Sequence, residues 1–160
     1  MEKQYSQKYR NLILLSLQMN QPEKFIEKSA LVLEYFGHWP SFYHSEIISL
    51  FFYRNYPMLP KALMRIYVFE KTLGSMIHPI LGKTKHCLLE LEFLELGENH
   101  FSEFNSFNKL AEIRFRQNMG RYFTEFLPVS GARIVLESGK IRIRSLKKIG
   151  EDPKDTLDKY

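Results

Sequence analysis

From Glu46 to Ser145 the chain is written mostly in period two, and that periodicity restricts the fold more than any other property. Cys87, Leu89, Leu91 and Phe93 alternate with Glu90 and Glu92. Ala111, Ile113 and Phe115 alternate with Glu112, Arg114 and Arg116 over Leu110 to Gln117. Side chains of a strand point to opposite faces in turn, so such runs predict strands with one buried face. Leu63 to Glu70 predicts another, with Met64, Ile66 and Val68 on one face and Arg65 on the other. A short aromatic strand is expected over Tyr122 to Leu127. Glu46 to Arg54 differs, being apolar on both faces, with Ile47, Phe51 and Tyr53 against Ile48, Leu50 and Phe52. That pattern predicts a central strand covered on both sides. Arg133 to Ser145 reads as a hairpin turning at Ser138-Gly139. In that register Leu136 faces Ile141 and Ile134 faces Ile143 inward, while Glu137 meets Lys140 outward. The alternation slips at Phe93-Leu94, where a bulge is expected.

Gln21 to Phe36 carries helical spacing instead. Pro22 suits a first turn and Glu23 the positive end of the helix dipole. Phe25, Ser29, Val32, Leu33 and Phe36 fall on one face, and Gly37 follows as a left-handed cap. Tyr5 to Met19 fits either period: Ile13, Leu15, Leu17 and Met19 alternate, while Tyr9, Leu12 and Ser16 keep helical spacing. Lys71 to Lys85, punctuated by Gly74, Pro79 and Gly82, reads as a loop. Gly97 to Asn108 reads as a second loop, with Phe101, Phe104 and Phe107 folded over the core. The expected architecture is α+β. An antiparallel meandering sheet of about six or seven strands carries one or two N-terminal helices on one face. Residues 1–149 are read as one domain and 150–160 as a flexible charged tail.

Chemistry leaves few marks on this sequence. Cys87 sits at an inward strand position, where a thiol stays protonated. No nucleophile elbow or phosphate loop occurs: Pro128 and Ala132 stand where an elbow around Ser130 would need glycines. His38, His44 and Glu46 lie near one another without an Asp or Cys to complete a metal set, so a structural role is expected. An enzyme using His44 and Glu46 is kept as a rival. No catalytic residue, metal ligand, cofactor or small-molecule substrate is assigned. One Cys and the lack of an apolar run long enough to span a bilayer give a cytoplasmic, non-membrane expectation.

With 23 basic and 18 acidic residues the net charge is +5, mildly basic. Arg114, Arg116, Arg133, Lys140, Arg142 and Arg144 form a basic surface if their strands neighbour one another. That surface would dock an acidic protein. A non-catalytic nucleic-acid-binding module is the alternative, less favoured because acidic residues are interspersed throughout.

One stretch carries a resemblance. Phe36-Gly37, Trp39-Pro40-Ser41-Phe42 and Glu46-Ile47 match the FG-x-WPSFHDAEV segment of the bacterial immunity protein 50 family. Tyr43-His44-Ser45 replaces the family's His-Asp-Ala. Val68-Phe69-Glu70, Lys85-His86 and Phe104-Asn105-Ser106-Phe107-Asn108 resemble further family segments. The resemblance implies a protein that binds and neutralises one cognate toxin domain of a polymorphic toxin system. Phe36, Gly37, Trp39, Pro40, Ser41, Phe42 and Glu46 are then structural, with Trp39 as a core plug. The six basic residues are the expected toxin contacts. Whether the chain also pairs with itself is left open by the sequence.

Overall fold

The computed structural model describes residues 21–54, 56–72 and 82–150. Eight strands form one open antiparallel sheet: β1 Glu46–Tyr53, β2 Lys61–Thr72, β3 Gly82–Leu94, β4 Asn99–Ser102, β5 Lys109–Asn118, β6 Arg121–Ser130, β7 Arg133–Ser138 and β8 Lys140–Lys148. Their order is β4-β7-β6-β5-β1-β2-β3-β8. Two meanders, β1-β2-β3 and β5-β6-β7, therefore lie side by side, with β8 and β4 as outer edges. The α+β expectation holds, but with eight strands and little helix. Tyr5 to Met19 and most of the charged tail lie outside the described residues.

The alternating residues do what their period requires. Met64, Ile66, Val68, Leu89, Leu91, Phe93, Phe126, Ile134, Leu136, Ile141 and Ile143 are buried in one core. That core joins both meanders: the rings of Phe93 on β3 and Phe126 on β6 meet edge to face at 6.1 Å. The sheet is thus curled, and its concave face supplies both walls. Leu63, Tyr67, Phe69 and Leu88 are also buried, on the opposite face of β2 and β3, where the alternation marks only the charged Arg65, Glu90 and Glu92.

The Arg133–Ser145 hairpin does not form. β7 pairs with β6 and β4, and β8 pairs with β3. Leu136 faces Thr124 rather than Ile141, and Ile143 faces Leu91. Gly139 is a corner through which the chain passes from one half of the sheet to the other, donating its N–H to Leu94 O at 3.0 Å. Two alternating runs beside a turn carry no record of which partner they choose. Here β8 gains a long ladder with β3, and β7 is paired on both edges, by β6 and by β4. Glu137 consequently pairs with Arg121, and Lys140 approaches Glu95.

Gln21 to Phe36 is not one helix. A 3-10 turn at Pro22–Lys24 is followed by an irregular segment, and α1 spans only Ala30–Phe36. The break lies at Glu27 and Lys28. Glu27 donates its N–H to Ile141 O and accepts from Ile143 N–H, both at 2.9 Å, as a parallel bridge on the free edge of β8. Lys28 then takes a left-handed φ of 59°. Helical hydrogen bonds were forgone to close a sheet edge, which unpaired would invite association. Ile26, absent from the expected helical face, is buried with Val32 and Phe36.

Other boundaries move outward. β2 and β3 extend into the expected Lys71–Lys85 loop, leaving residues 73–81 outside the described set. The bulge lies between Glu90 and Leu91, where β3 meets β8, rather than at Phe93-Leu94. Gly97 to Asn108 contains β4, and Phe101, Phe104 and Phe107 are exposed instead of covering the core. β1 is central by position, yet Phe51, Phe52 and Tyr53 are exposed, so it is not covered on both sides.

The convex face of β2, β3 and β8 carries two charge rows. Glu92, almost fully buried, accepts from Lys61 Nζ at 3.1 Å and from Arg142 Nε at 2.9 Å. Glu90 accepts from Arg65 Nε and Ser145 Oγ, both at 2.8 Å. Burial alone would raise the Glu92 carboxyl, but the hydrogen bonds and charges of Arg142 and Lys61 outweigh it and hold it below the usual range. A depressed folded value stabilises above the unfolded value, about pH 4.3, and the contribution is lost as pH falls through the folded value. Glu92→Gln is expected to cost about 2 kcal/mol at pH 7. It should also flatten the acid limb of a stability–pH curve measured by urea unfolding.

Candidate functional site

Three of the resembling segments, at Phe36–Phe42, Val68–Glu70 and Lys85–His86, meet at the end of α1, whereas Phe104–Asn108 packs by Ala132 instead. Gly37 takes φ 85° and donates to Leu33 O at 2.7 Å, a left-handed cap that a side chain would strain. Phe36 is buried, and its carbonyl accepts from Lys85 Nζ at 2.7 Å. Lys85 also lies 3.1 Å from Glu70 Oε2, whose other oxygen lies 3.2 Å from His38 Nε2. A cation at a helix C-terminus satisfies an orphan carbonyl and opposes the negative dipole end. Beside it, the Tyr67 hydroxyl bonds His86 Nδ1, and Tyr35 OH donates to the His86 carbonyl at 3.1 Å.

Beyond the cap, Trp39 to His44 forms a ridge. Phe42 and His44 both take positive φ, 59° and 65°, which folds the chain tightly before β1 starts. Pro40 and Phe42 are buried; Ser41 and Tyr43 are exposed. Trp39 packs edge to face on Phe42 at 5.9 Å and on Phe115 at 6.3 Å. It is therefore half plug and half surface. A groove of about 460 Å³ lies on one side of the ridge, lined by Pro22, Trp39, Phe115, Arg114 and Arg116 among others. A second, of about 370 Å³, lies on the other, lined by His38, Tyr43, Phe69, Glu70 and Lys71. Pro40 and Ser41 border both. Lys71 Nζ stands over the Tyr43 ring at 4.6 Å.

The six expected contact residues do not form one surface. Arg114, Arg116 and Arg133 lie on β5 and β7, whereas Lys140, Arg142 and Arg144 lie on β8, at the far end of the strand order. Every one faces a carboxylate. Arg114 is 2.9 Å from Glu112, and Arg116 (3.5 Å) shares Glu125 with Arg133. Lys140 is 3.8 Å from Glu95, Arg144 is 3.9 Å from Glu90, and Arg142 holds Glu92. Arg142 belongs to the fold as much as to the surface. Of the six, only Arg114 and Arg116 adjoin the ridge.

The remaining candidates resolve locally. Glu46 is paired in β1 between Tyr67 and Lys109. The His44 ring lies 4.2 Å from that of Tyr43. Among the described residues, no three His, Cys, Asp or Glu side chains gather as a metal site requires. Cys87 is buried, and burial pushes its thiol up to about 12, far from a reactive thiolate. Asn108 is a staple: its Oδ1 accepts from Asn105 N–H at 3.0 Å and Ala132 N–H at 3.1 Å. Gly131 beside it, at φ 83°, has no room for a Cβ, which would fall 2.6 Å from Phe107 O. Residue reading alone did not mark Glu70, Lys71 or Lys85, because their partners are far away in sequence. Only the resemblance at Val68-Phe69-Glu70 and Lys85-His86 pointed near them.

No protein-family model, curated protein or solved structure matches this chain. The corner's internal logic is directly measurable. Lys85→Met should lower stability by about 1 kcal/mol. In a double-mutant cycle with Glu70→Gln, the two changes should be non-additive by about 0.5–1 kcal/mol in urea unfolding.

Proposed function

We propose that this chain is an immunity protein that binds one cognate bacterial toxin domain stoichiometrically and blocks it, without chemistry of its own. One observation supports the reading. Of the residues that resemble the immunity protein 50 family, Phe36, Glu70 and Lys85 meet at a single corner, Lys85 donating to Phe36 O and pairing with Glu70. The corner also presents something to bind with. The ridge stands between two grooves, with aromatic surface at Trp39 and Tyr43 and cations at Lys71, Arg114 and Arg116. Aromatic side chains dominate interface energetics, and the ridge's mixed charge, with Arg114 and Arg116 beside Glu112 and Glu125, suits a polar rim around them. Within this reading the docking surface keeps Arg114 and Arg116 of the six expected residues and centres on the ridge rather than on β7 and β8.

The test is co-expression with the toxin domain encoded beside this gene. The toxin alone should kill, and the pair should grow. Ser41→Arg, at the exposed crest, should abolish protection while the melting temperature stays within about 2 °C of wild type. Lys140→Glu should leave protection intact. Failure of the wild-type chain to protect, or full protection by Ser41→Arg, would count against the assignment.

A further inference from the structure

The crest of the ridge turns on two residues that a chain rarely places so. Phe42 and His44 take φ of 59° and 65°, in the left-handed region that favours glycine. The turn is closed: Ser45 N–H donates to Phe42 O at 3.0 Å, and His44 N–H to Leu110 O at 2.7 Å. His44 stands at the third position of that turn, where a positive φ ordinarily calls for Gly or Asn. Phe42 and Ser45 go inward, 3% and 0% exposed, and Tyr43 is thrown outward, 50% exposed. Its ring is nevertheless held. The His44 ring lies 4.2 Å away, and Lys71 Nζ, from β2, stands 4.6 Å from its centre. Strain of this kind persists only where the surrounding structure enforces it, and it gathers at functional sites. A ring that is exposed yet fixed is preorganised for a partner, because little freedom remains to be lost on binding.

Charge at this groove differs from charge elsewhere on the surface. Arg114, Arg116, Arg133, Lys140, Arg142 and Arg144 each face a carboxylate. Lys71 is exposed and makes no ion pair among the described residues, its ammonium resting over the Tyr43 ring instead. The groove's own carboxylate, Glu70, is engaged by Lys85 at 3.1 Å and lies 3.2 Å from His38. Ser41, at the rim, accepts from Tyr43 N–H through Oγ at 3.4 Å and keeps its own proton to donate. The groove between the ridge and β2, about 370 Å³, thus offers an uncommitted cation, an aromatic wall and a hydroxyl.

We propose, resting on the immunity reading, that Tyr43 and Lys71 are the anchor subsite of the ridge and that it takes an acidic side chain, Asp or Glu, of the toxin domain. The carboxylate sits against Lys71 Nζ and Ser41 Oγ, and its methylene stem packs along Tyr43. A charge pair open to water is weak, but one closed beneath a docked partner is screened far less. A phosphate backbone fits the surface less well. It binds through several cations at once, whereas the six basic strand residues are already faced by carboxylates.

Isothermal titration calorimetry of the full chain against the purified toxin domain encoded beside its gene tests the proposal, at about 50 and 200 mM salt. Wild-type affinity should fall between the two. Tyr43→Ala and Lys71→Glu should each weaken binding by about 30-fold or more. Lys71→Met should lose about 10-fold and flatten the salt dependence, while Lys71→Arg stays within about 3-fold of wild type. All four variants should melt within about 2 °C of wild type, since both side chains are exposed. One Asp→Asn or Glu→Gln change on the toxin should weaken binding to wild type and leave binding to Lys71→Met unaffected. Unchanged affinity in Tyr43→Ala or in Lys71→Glu overturns the subsite and leaves the immunity reading standing. Equal losses in Lys71→Arg and Lys71→Met overturn the charge pair. A wild-type chain that binds no toxin overturns the immunity reading and this one with it. Retention of wild type on single-stranded RNA or DNA, lost in Lys71→Glu, gives the site to nucleic acid and overturns the proposal as well.

Discussion

The corner at Gly139 decides the shape of this molecule. Ser138 ends a strand of one half-sheet and Lys140 begins a strand of the other, with a single residue between them. The Gly139 N–H is held by Leu94 O at 3.0 Å, and a Cβ there would press on the Glu95 side chain. A chain that turns so sharply without pairing its two arms forces them apart, one onto β6 and the other onto β3. The two meanders are thereby swung face to face, and Phe93 can meet Phe126 across the core. An open sheet of eight strands gains a closed interior in this way without becoming a closed barrel.

Curling leaves a convex face to be made compatible with water. On β2, β3 and β8 this is done with carboxylates sandwiched between cations, Glu92 between Lys61 and Arg142, and Glu90 between Arg65 and Arg144. A buried carboxylate is costly unless paired, so these rows couple surface charge to fold stability. They also mute the basic field that the composition implies, because the arginines expected to reach outward are occupied by neighbours. Net charge of +5 thus reports little about where a partner sits.

Curling also has an edge cost, and the edges are treated unequally. β8 receives the backbone of Glu27, at the expense of the first turns of what would have been a longer helix. β4 is short, four residues. β1 separates from β5 after its first residues and shows aromatic side chains on both faces.

Period-two alternation, a property of the backbone itself, was enough to place most of the strands and to name their buried residues: Leu89, Leu91, Phe93, Ile113, Ile134 and Ile143 are inside as their spacing requires. Gly37 was legible for the same reason, since a left-handed residue after a helix is a local demand. Pairing was not legible. Ile134 and Ile143 suit a mutual hairpin as well as they suit β6 and β3, and only the competition among all strands chose between them. The helix over Gln21 to Phe36 failed similarly, because the bond from Glu27 to β8 is non-local and outweighs local propensity. At the candidate site a resemblance pointed to the ridge residues, but the grooves on either side exist only once β2 and β5 have been brought beside it. Alternation is fixed residue by residue; partnership between strands is a global choice, and it alone set the sheet order and the paired charges.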